Sequence, residues 1–204
     1  PELPERSVQV APHVYVLAGW PNVGIIVGDT GTLVVDTGLG APIGRRVAAE
    51  AARLSTKNQK LYLVTTHFHP EHTSGQAGFP PGTTVIRPRV QQAELEASGA
   101  GMVASFAGRS PAGGARRAGP QATHADVVFD DAYKLDLGGV TVGIYAFGPG
   151  HTAGDTVIHV EQDSLVFPGD IVEARRSPNI ACATCSPRSW IAILDKIAAL
   201  HPAH

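Results

Sequence analysis

Aromatic residues are scarce, at 6% of the 204 positions, and there is a single methionine. The core must therefore be built from Val, Ala, Leu and Ile, within an apolar share of 43% that is ordinary for a globular chain. Charge of one sign is also lacking: 16 basic residues face 18 acidic ones, a formal net charge of −2. Without a broad basic field there is nothing to hold a phosphate backbone, and nucleic acid is not expected as a partner. The densest basic stretch, Arg109 to Arg117, reads as a solvated loop. No run approaches the roughly 18 apolar residues of a membrane-spanning helix, so no membrane partner is expected.

Two cysteines, Cys182 and Cys185, are too few for a disulfide scaffold or a four-cysteine zinc knuckle. A local redox pair and two inert thiols both fit. The first residue is Pro1, and no signal-type apolar stretch follows it. A processed periplasmic or secreted product and a cytoplasmic protein both fit, and the compartment is left open. Gly and Pro are plentiful, at 23 and 16, which suits a fold with many turns.

Short β-branched runs separated by turn residues predict strands at Val14–Leu17, Val23–Val27 and Thr32–Asp36. Ile43 to Leu54 carries Ile43, Val47, Ala51 and Leu54 at helical spacing, with Arg45, Arg46 and Glu50 on the other face. A strand at Leu61–Thr65, a short one at Val85-Ile86 and a helix from Val90 to Ser98 follow. Gly99 to Gly119, dominated by small residues and Pro, is expected to be a loop that flanks the functional edge and helps choose substrate. Strands resume at Tyr133–Leu137, Val140–Ala146, Thr156–Val160 and Ser164–Phe167, and Ser189 to Leu200 forms a last helix. Val23–Asp36 and Thr156–Asp170 echo each other, each reading strand, acidic turn, strand, Asp. The echo suggests two similar β-rich halves, sheet on sheet inside and helices outside.

Thr65-Thr66-His67-Phe68-His69-Pro70-Glu71-His72 places four metal donors within six positions. On an extended segment, residues two apart project to the same side, so His67 and His69 can face one ion. Pro70 bends the path, which lets Glu71 and His72 turn toward a second. Three imidazoles and a carboxylate form a donor set that zinc accepts. Gly150-His151-Thr152 follows an apolar strand and offers a further imidazole. Phe167-Pro168-Gly169-Asp170 sets a carboxylate at a strand end, where it could cap a turn or bridge two cations. His13, His124 and His159 lie outside these clusters.

These residues resemble the signature of the metallo-β-lactamase-fold hydrolase superfamily: His67-x-His69-x-Glu71-His72, then Gly150-His151-Thr152, then Gly169-Asp170, with Asp36-Thr37-Gly38 as its early turn. The resemblance runs from about residue 14 to the end. Asp170-Ile171-Val172 with Arg176-x-Pro178 is most similar to the branch of quinoprotein-relay and sulfur-oxidation accessory hydrolases. The resemblance implies an α+β fold, an αββα sandwich with metals at one edge, as one domain over 1–204. It implies one site of His67, His69 and His151, and a second of Glu71 and His72 bridged by Asp170. Asp36 would hold the ligand loops from behind. Glu71 departs from the family's usual Asp. A final His that relatives carry beyond the last helix and one further strand has no match before His201-Pro202-Ala203-His204, so the domain is expected to stop short of that end.

The expected activity is hydrolysis of a small carbonyl substrate: a β-lactam, lactone, ester or thioester. One or two zinc ions lower the pKa of a bound water from about 15.7 toward about 7, making hydroxide available for attack. Asp170 and Glu71 are the expected catalytic carboxylates, with Glu71 orienting the water or taking its proton. Iron on the same ligands, giving a non-haem redox enzyme, is the alternative, and a metal-binding accessory protein with little turnover is a third.

Overall fold

The structure is a computed structural model that describes residues 3–56, 59–109, 122–174, 176–180 and 182–204. Its first sheet has seven strands in chain order: β1 (Val8–Ala11), β2 (Val14–Leu17), β3 (Val23–Val27), β4 (Gly31–Val35), β5 (Lys60–Val64), β6 (Thr84–Pro88) and β7 (Val127–Phe129). It runs antiparallel through β4 and parallel from β4 to β7. The second sheet has four antiparallel strands: β8 (Ala132–Asp136), β9 (Thr141–Ala146), β10 (Thr156–Val160) and β11 (Leu165–Phe167). The described helices are α1 (Ala41–Leu54), α2 (Pro70–Thr73), α3 (Arg89–Arg109) and α4 (Pro187–Ala198).

Side-chain alternation along the strands sorts the apolar residues into three layers of contact. Ile26, Leu33, Val35, Val64 and Ile86 of the first sheet meet Val142, Ile144, Ile158 and Val160 of the second. The opposite face of the first sheet, through Val23, Ile25, Val34 and Leu63, packs on Val47 and Ala51 of α1. The outer face of the second, through Val157, packs on Trp190, Ile193 and Ile197 of α4. This is the expected αββα sandwich. Every residue of β4 is buried because both its faces are covered, as parallel strands require. The two echoed segments are both hairpins, β3–β4 and β10–β11, one in each sheet.

Three expectations change. Gly99 to Arg109 is not loop but the second half of α3, while residues 110–119 of that expected loop lie outside the described residues. Ala97, Ala100 and Ala104 favour helix strongly enough to carry Gly99 and Gly101, each costing about 1 kcal/mol. Phe106 then stacks on Trp20 at a centroid distance of 6.3 Å, a tertiary contact that the local sequence does not announce. Glu50 does not sit on an exposed face. It is buried and accepts hydrogen bonds from Arg53, from Arg6 and from Ser7 N and Oγ, which fastens the N-terminal segment to α1. The Arg53 guanidinium, against the opposing effect of burial, holds its carboxyl well below the usual range. Finally, β1 and β7 are edge strands too short to stand out by periodicity.

Ile144 has no exposed surface at the centre of the inter-sheet layer. Ile144→Ala should destabilise the fold by about 2–5 kcal/mol, read as a shift in denaturant midpoint at unchanged slope. A loss below about 0.5 kcal/mol would contradict this packing.

Candidate metal centre

The strands deliver the candidate residues to one edge of the sandwich. Asp36 follows β4, Thr65–His72 follow β5, His151 lies in the β9–β10 connection, and Asp170 lies in a 3-10 turn, Gly169–Ile171, after β11. The sheets are tied here by Thr156 N donating to Thr66 O at 2.7 Å. His69 caps α2, and Pro70 at its first position turns the chain so that His72 comes back toward His67. Gly169 has φ +59°, and a Cβ there would stand 2.7 Å from Thr66 Cβ. Only glycine allows the approach that brings Asp170 to the histidines.

Two overlapping clusters result, His67–His69–His151 and His67–His72–Asp170, each with donor atoms within 4.8 Å of one another. His69 Nδ1 lies 3.1 Å from His151 Nε2. Asp170 presents Oδ1 to His72 Nε2 at 3.4 Å, and Oδ2 to His151 Nε2 at 3.7 Å and His67 Nε2 at 4.0 Å. Two nitrogens 2.0–2.1 Å from a tetrahedral ion stand about 3.3–3.4 Å apart, so these separations suit ligands of a shared ion. His67 Nε2 is buried with no hydrogen-bond partner, in a structure where buried polar groups are normally paired. A buried, unpartnered nitrogen that faces other donor atoms suits a metal ion, and the residues fit one.

Electrostatics agrees in direction. Burial pushes the His67 pKa well below its ordinary value, helped by the neighbouring histidines, so the imidazole is neutral and keeps one lone pair to offer. Burial opposes charge on His72 too, but Asp36, Asp170 and Glu71 outweigh it and hold that imidazole at about 9. Glu71 is buried beside the clusters but belongs to neither, and its Oε2 has no hydrogen-bond partner. Burial raises its carboxyl above the usual range while His72 pulls the other way.

Behind the donors stands a set of fixed hydrogen bonds. Asp36 accepts from Thr66 N at 2.7 Å and from Thr66 Oγ1, and meets His72 Nδ1 at 2.9 Å, as expected of it. His151 Nδ1 lies 2.6 Å from the Asn179 carbonyl. Three further residues were not legible as part of the site. Asp155 accepts from the backbone N–H of Gly150, His151 and Thr152, shaping the His151 loop. Gln91 donates to Thr65 O, Gly154 O and Thr156 Oγ1, and Glu94 accepts from Ala153 N and Gly154 N, so α3 clamps both ligand loops. Asp155 could have been suspected as a turn former four positions after the His, whereas Gln91 and Glu94 act at sequence distances that no local pattern reveals.

His13 pairs with Asp163 and His124 with Asp126, and His159 is half-buried in β10, all away from the clusters. His201 and His204 are exposed and in neither cluster. Ala203 N donates to Ser164 O and His204 O accepts from Val166 N, so the chain end lies along β11. Cys182 and Cys185 form a disulfide.

Fold, motif order and site define a sandwich of the metallo-β-lactamase type with a candidate metal centre at its edge. The chain belongs to the metallo-beta-lactamase superfamily, whose family profile matches residues 19–203. Among curated proteins it is 28% identical over 168 residues to the acyl-coenzyme A thioesterase MBLAC2 of Bos taurus, and 27% identical to that of Homo sapiens; each match covers 74% of this chain and 58% of the relative. The chain thus spans little more than half the length of these relatives. Its fold is similar to the metallo-beta-lactamase from Pontibacter korlensis, with a TM-score of 0.67 and 20% identity over 99% of this chain and 87% of that one. It is also similar to the sec-alkylsulfatase Pisa1 from Pseudomonas sp., with a TM-score of 0.72 and 17% identity over 96% of this chain and 36% of that one.

One imidazole nitrogen can serve one ion, so the shared His67 makes the clusters unequal. Metal should bind in two steps, the second weaker. His72, protonated at neutral pH, must give up its proton before it can bind. Second-step affinity should therefore rise by about tenfold per pH unit from 7 to 9 and then level off. Calorimetry in buffers of different ionisation enthalpy would count the proton, and no release near pH 7 would contradict a protonated His72.

Proposed function

We propose that this chain is a zinc-dependent hydrolase of small activated carbonyl substrates, acyl thioesters foremost. The observation that carries the reading is Asp170, whose two oxygens face His72 on one side and His67 and His151 on the other. The thioester preference draws on the likeness to acyl-coenzyme A thioesterases. The expected ligands are His67, His69 and His151 for the first ion, and His72 with Asp170 for a weaker second.

When bound, zinc supplies an acidified water and a positive charge that stabilises a developing oxyanion. The residues around it do the positioning. Asp36 keeps His72 turned so that Nε2 faces Asp170, and the Asn179 carbonyl does the same for His151. Both contacts are already made, so little reorganisation is needed when substrate arrives. Substrate would enter a cleft of about 310 Å³ lined by His72, Asp170, Trp20, Phe167, Val172 and Arg176. Its apolar wall suits an acyl chain. Glu71, buried and drawn toward its neutral form, is placed to hold a proton beside His72 and Asp170.

His69→Ala should keep the fold, since the core lies elsewhere, while metal content and thioester hydrolysis both fall. Metal analysis with a panel of thioesters, esters, lactones and β-lactams tests this. Full activity in metal-free variant protein ends the hydrolase reading, and bound iron with a visible absorption band replaces it with redox chemistry. No turnover on the whole panel at full zinc content would leave a binding protein. Glu71→Asp shortens the carboxylate by one methylene and should lower the rate or change zinc stoichiometry by a measurable factor. Titration and kinetics that match the parent would remove Glu71 from the site.

A further inference from the structure

Between Asp170 and α4 the chain runs through residues 172–186, and most of the described residues there are exposed. This segment separates the cleft of about 310 Å³ over His72 and Asp170 from a second of about 240 Å³ lined by Pro178, Trp190 and Leu194. Val172 N bonds back to Gly169 O, Arg176 pairs with Glu173 inside the segment, and Ser186 closes it as the N-cap of α4. Among the described residues, a single hydrogen bond ties 173–180 to another element: His151 Nδ1 to the Asn179 carbonyl, at 2.6 Å. The Cys182–Cys185 disulfide lies between that contact and the Ser186 cap.

We propose that Cys182–Cys185 is a reversible thiol–disulfide site that controls how firmly His151 is held at the metal centre. The disulfide closes a tight turn, with Cys185 N also donating to Cys182 O. That turn constrains residues 182–185, which stand in the chain between Asn179 and the α4 cap. Both cysteines are partly exposed, and the Thr184 hydroxyl 3.4 Å from Cys182 Sγ is on an exposed residue, so a small thiol can reach the bond. A dithiol reduces it by two electrons: the Cys182–Cys185 bond breaks, each sulfur takes a proton, and the reagent leaves as its cyclic disulfide. Residues 182–185 then regain their conformational freedom. With clefts on either side, the described residues of 173–180 have no other hydrogen bond to a neighbouring element that would keep the Asn179 carbonyl in place. His151 loses the acceptor that orients its ring, and partners of this kind are worth about 10–100-fold in metal affinity.

The proposal rests on the reading of His151 as a ligand, and its test has one arm without metal and one with it. Metal-free protein is reduced with dithiothreitol, freed of reagent under anaerobic conditions and compared with the oxidised form. Maleimide mass labelling should count two new thiols, amide exchange over 173–186 should accelerate, and the His151 ring signals should shift in NMR spectra. Zinc affinity, measured against a chromophoric chelator, should fall by about tenfold and return on reoxidation. The double variant Cys182→Ser, Cys185→Ser should match the reduced protein and ignore the reductant; if it fails to fold, the reduced parent carries the comparison alone. Thiols that never form, or His151 signals and exchange rates unchanged on reduction, overturn the proposal whether or not zinc binds. Equal zinc affinity in both forms overturns it as well. Normal redox coupling in protein that binds no zinc would instead sink the metal reading.

Discussion

The Asp36 carboxylate is the contact on which the rest of the site depends. It stands where β4 ends, with φ +66°, a left-handed conformation that Asp tolerates better than most residues. From there it takes the N–H and hydroxyl of Thr66 and reaches His72 Nδ1. It thus joins the end of β4 to both ends of the loop that follows β5, the loop with three histidines. Its main-chain neighbours do the same: Asp36 N donates to Val64 O, and Thr37 N to His72 O. Without this acceptor, Thr66 N would be a buried donor lacking a partner, an expense of about 1–3 kcal/mol, and His72 Nδ1 would be left with only the Thr66 hydroxyl at 3.2 Å. The centre is therefore held by the fold before any cation arrives.

That matters because the cluster is costly in itself. His67, His69, His72 and His151 are buried together with Glu71 and Asp155, and none of them is placed there for packing. Four imidazoles cannot all carry charge at such separations, and the structure resolves this by dividing them. His72, against Asp36 and Asp170, keeps its proton, while His67 is driven to the neutral form. A cation entering the His67–His69–His151 side meets a neutral imidazole at His67. One entering the His72 side must first displace a proton.

The fold class and the core of the site could be read directly from the sequence, for two separate physical reasons. Strands such as Val23–Val27 alternate between two covered faces and announce themselves by composition. The histidines and Asp170 sit on short connections at strand ends, where donors crowd into few positions. What could not be read acts across long separations. Gln91 and Glu94 lie on a helix whose apolar residues fall on no single face, and they matter only because α3 crosses Thr65 and Gly154. The extension of α3 past Gly99 had the same origin, since composition favoured a loop and the Phe106–Trp20 contact favoured helix. Glu50 looked solvent-facing because its partners Arg6 and Ser7 come from a segment with no regular pattern. The state of Cys182 and Cys185 stayed open because spacing alone fits either a bond or two thiols.

The two hairpins explain why the two aspartates differ in role. β3–β4 and β10–β11 each end in an Asp at the same edge, one from each sheet. Asp36 ends a strand interior to its sheet, with β5 alongside, so its carboxylate is surrounded by N–H and O–H donors and is fully engaged. β11 is the outermost strand of the order β11-β10-β9-β8, and Gly169 lifts the chain over Thr66 before Asp170. Asp170 therefore reaches the centre from the open side. Its oxygens face three imidazole nitrogens at 3.4–4.0 Å, spacing too long for strong hydrogen bonds, and its side chain stays 24% exposed. A carboxylate so placed is aimed without being satisfied. The same hairpin geometry that locks one aspartate into the scaffold leaves the other facing both clusters and the cleft at once.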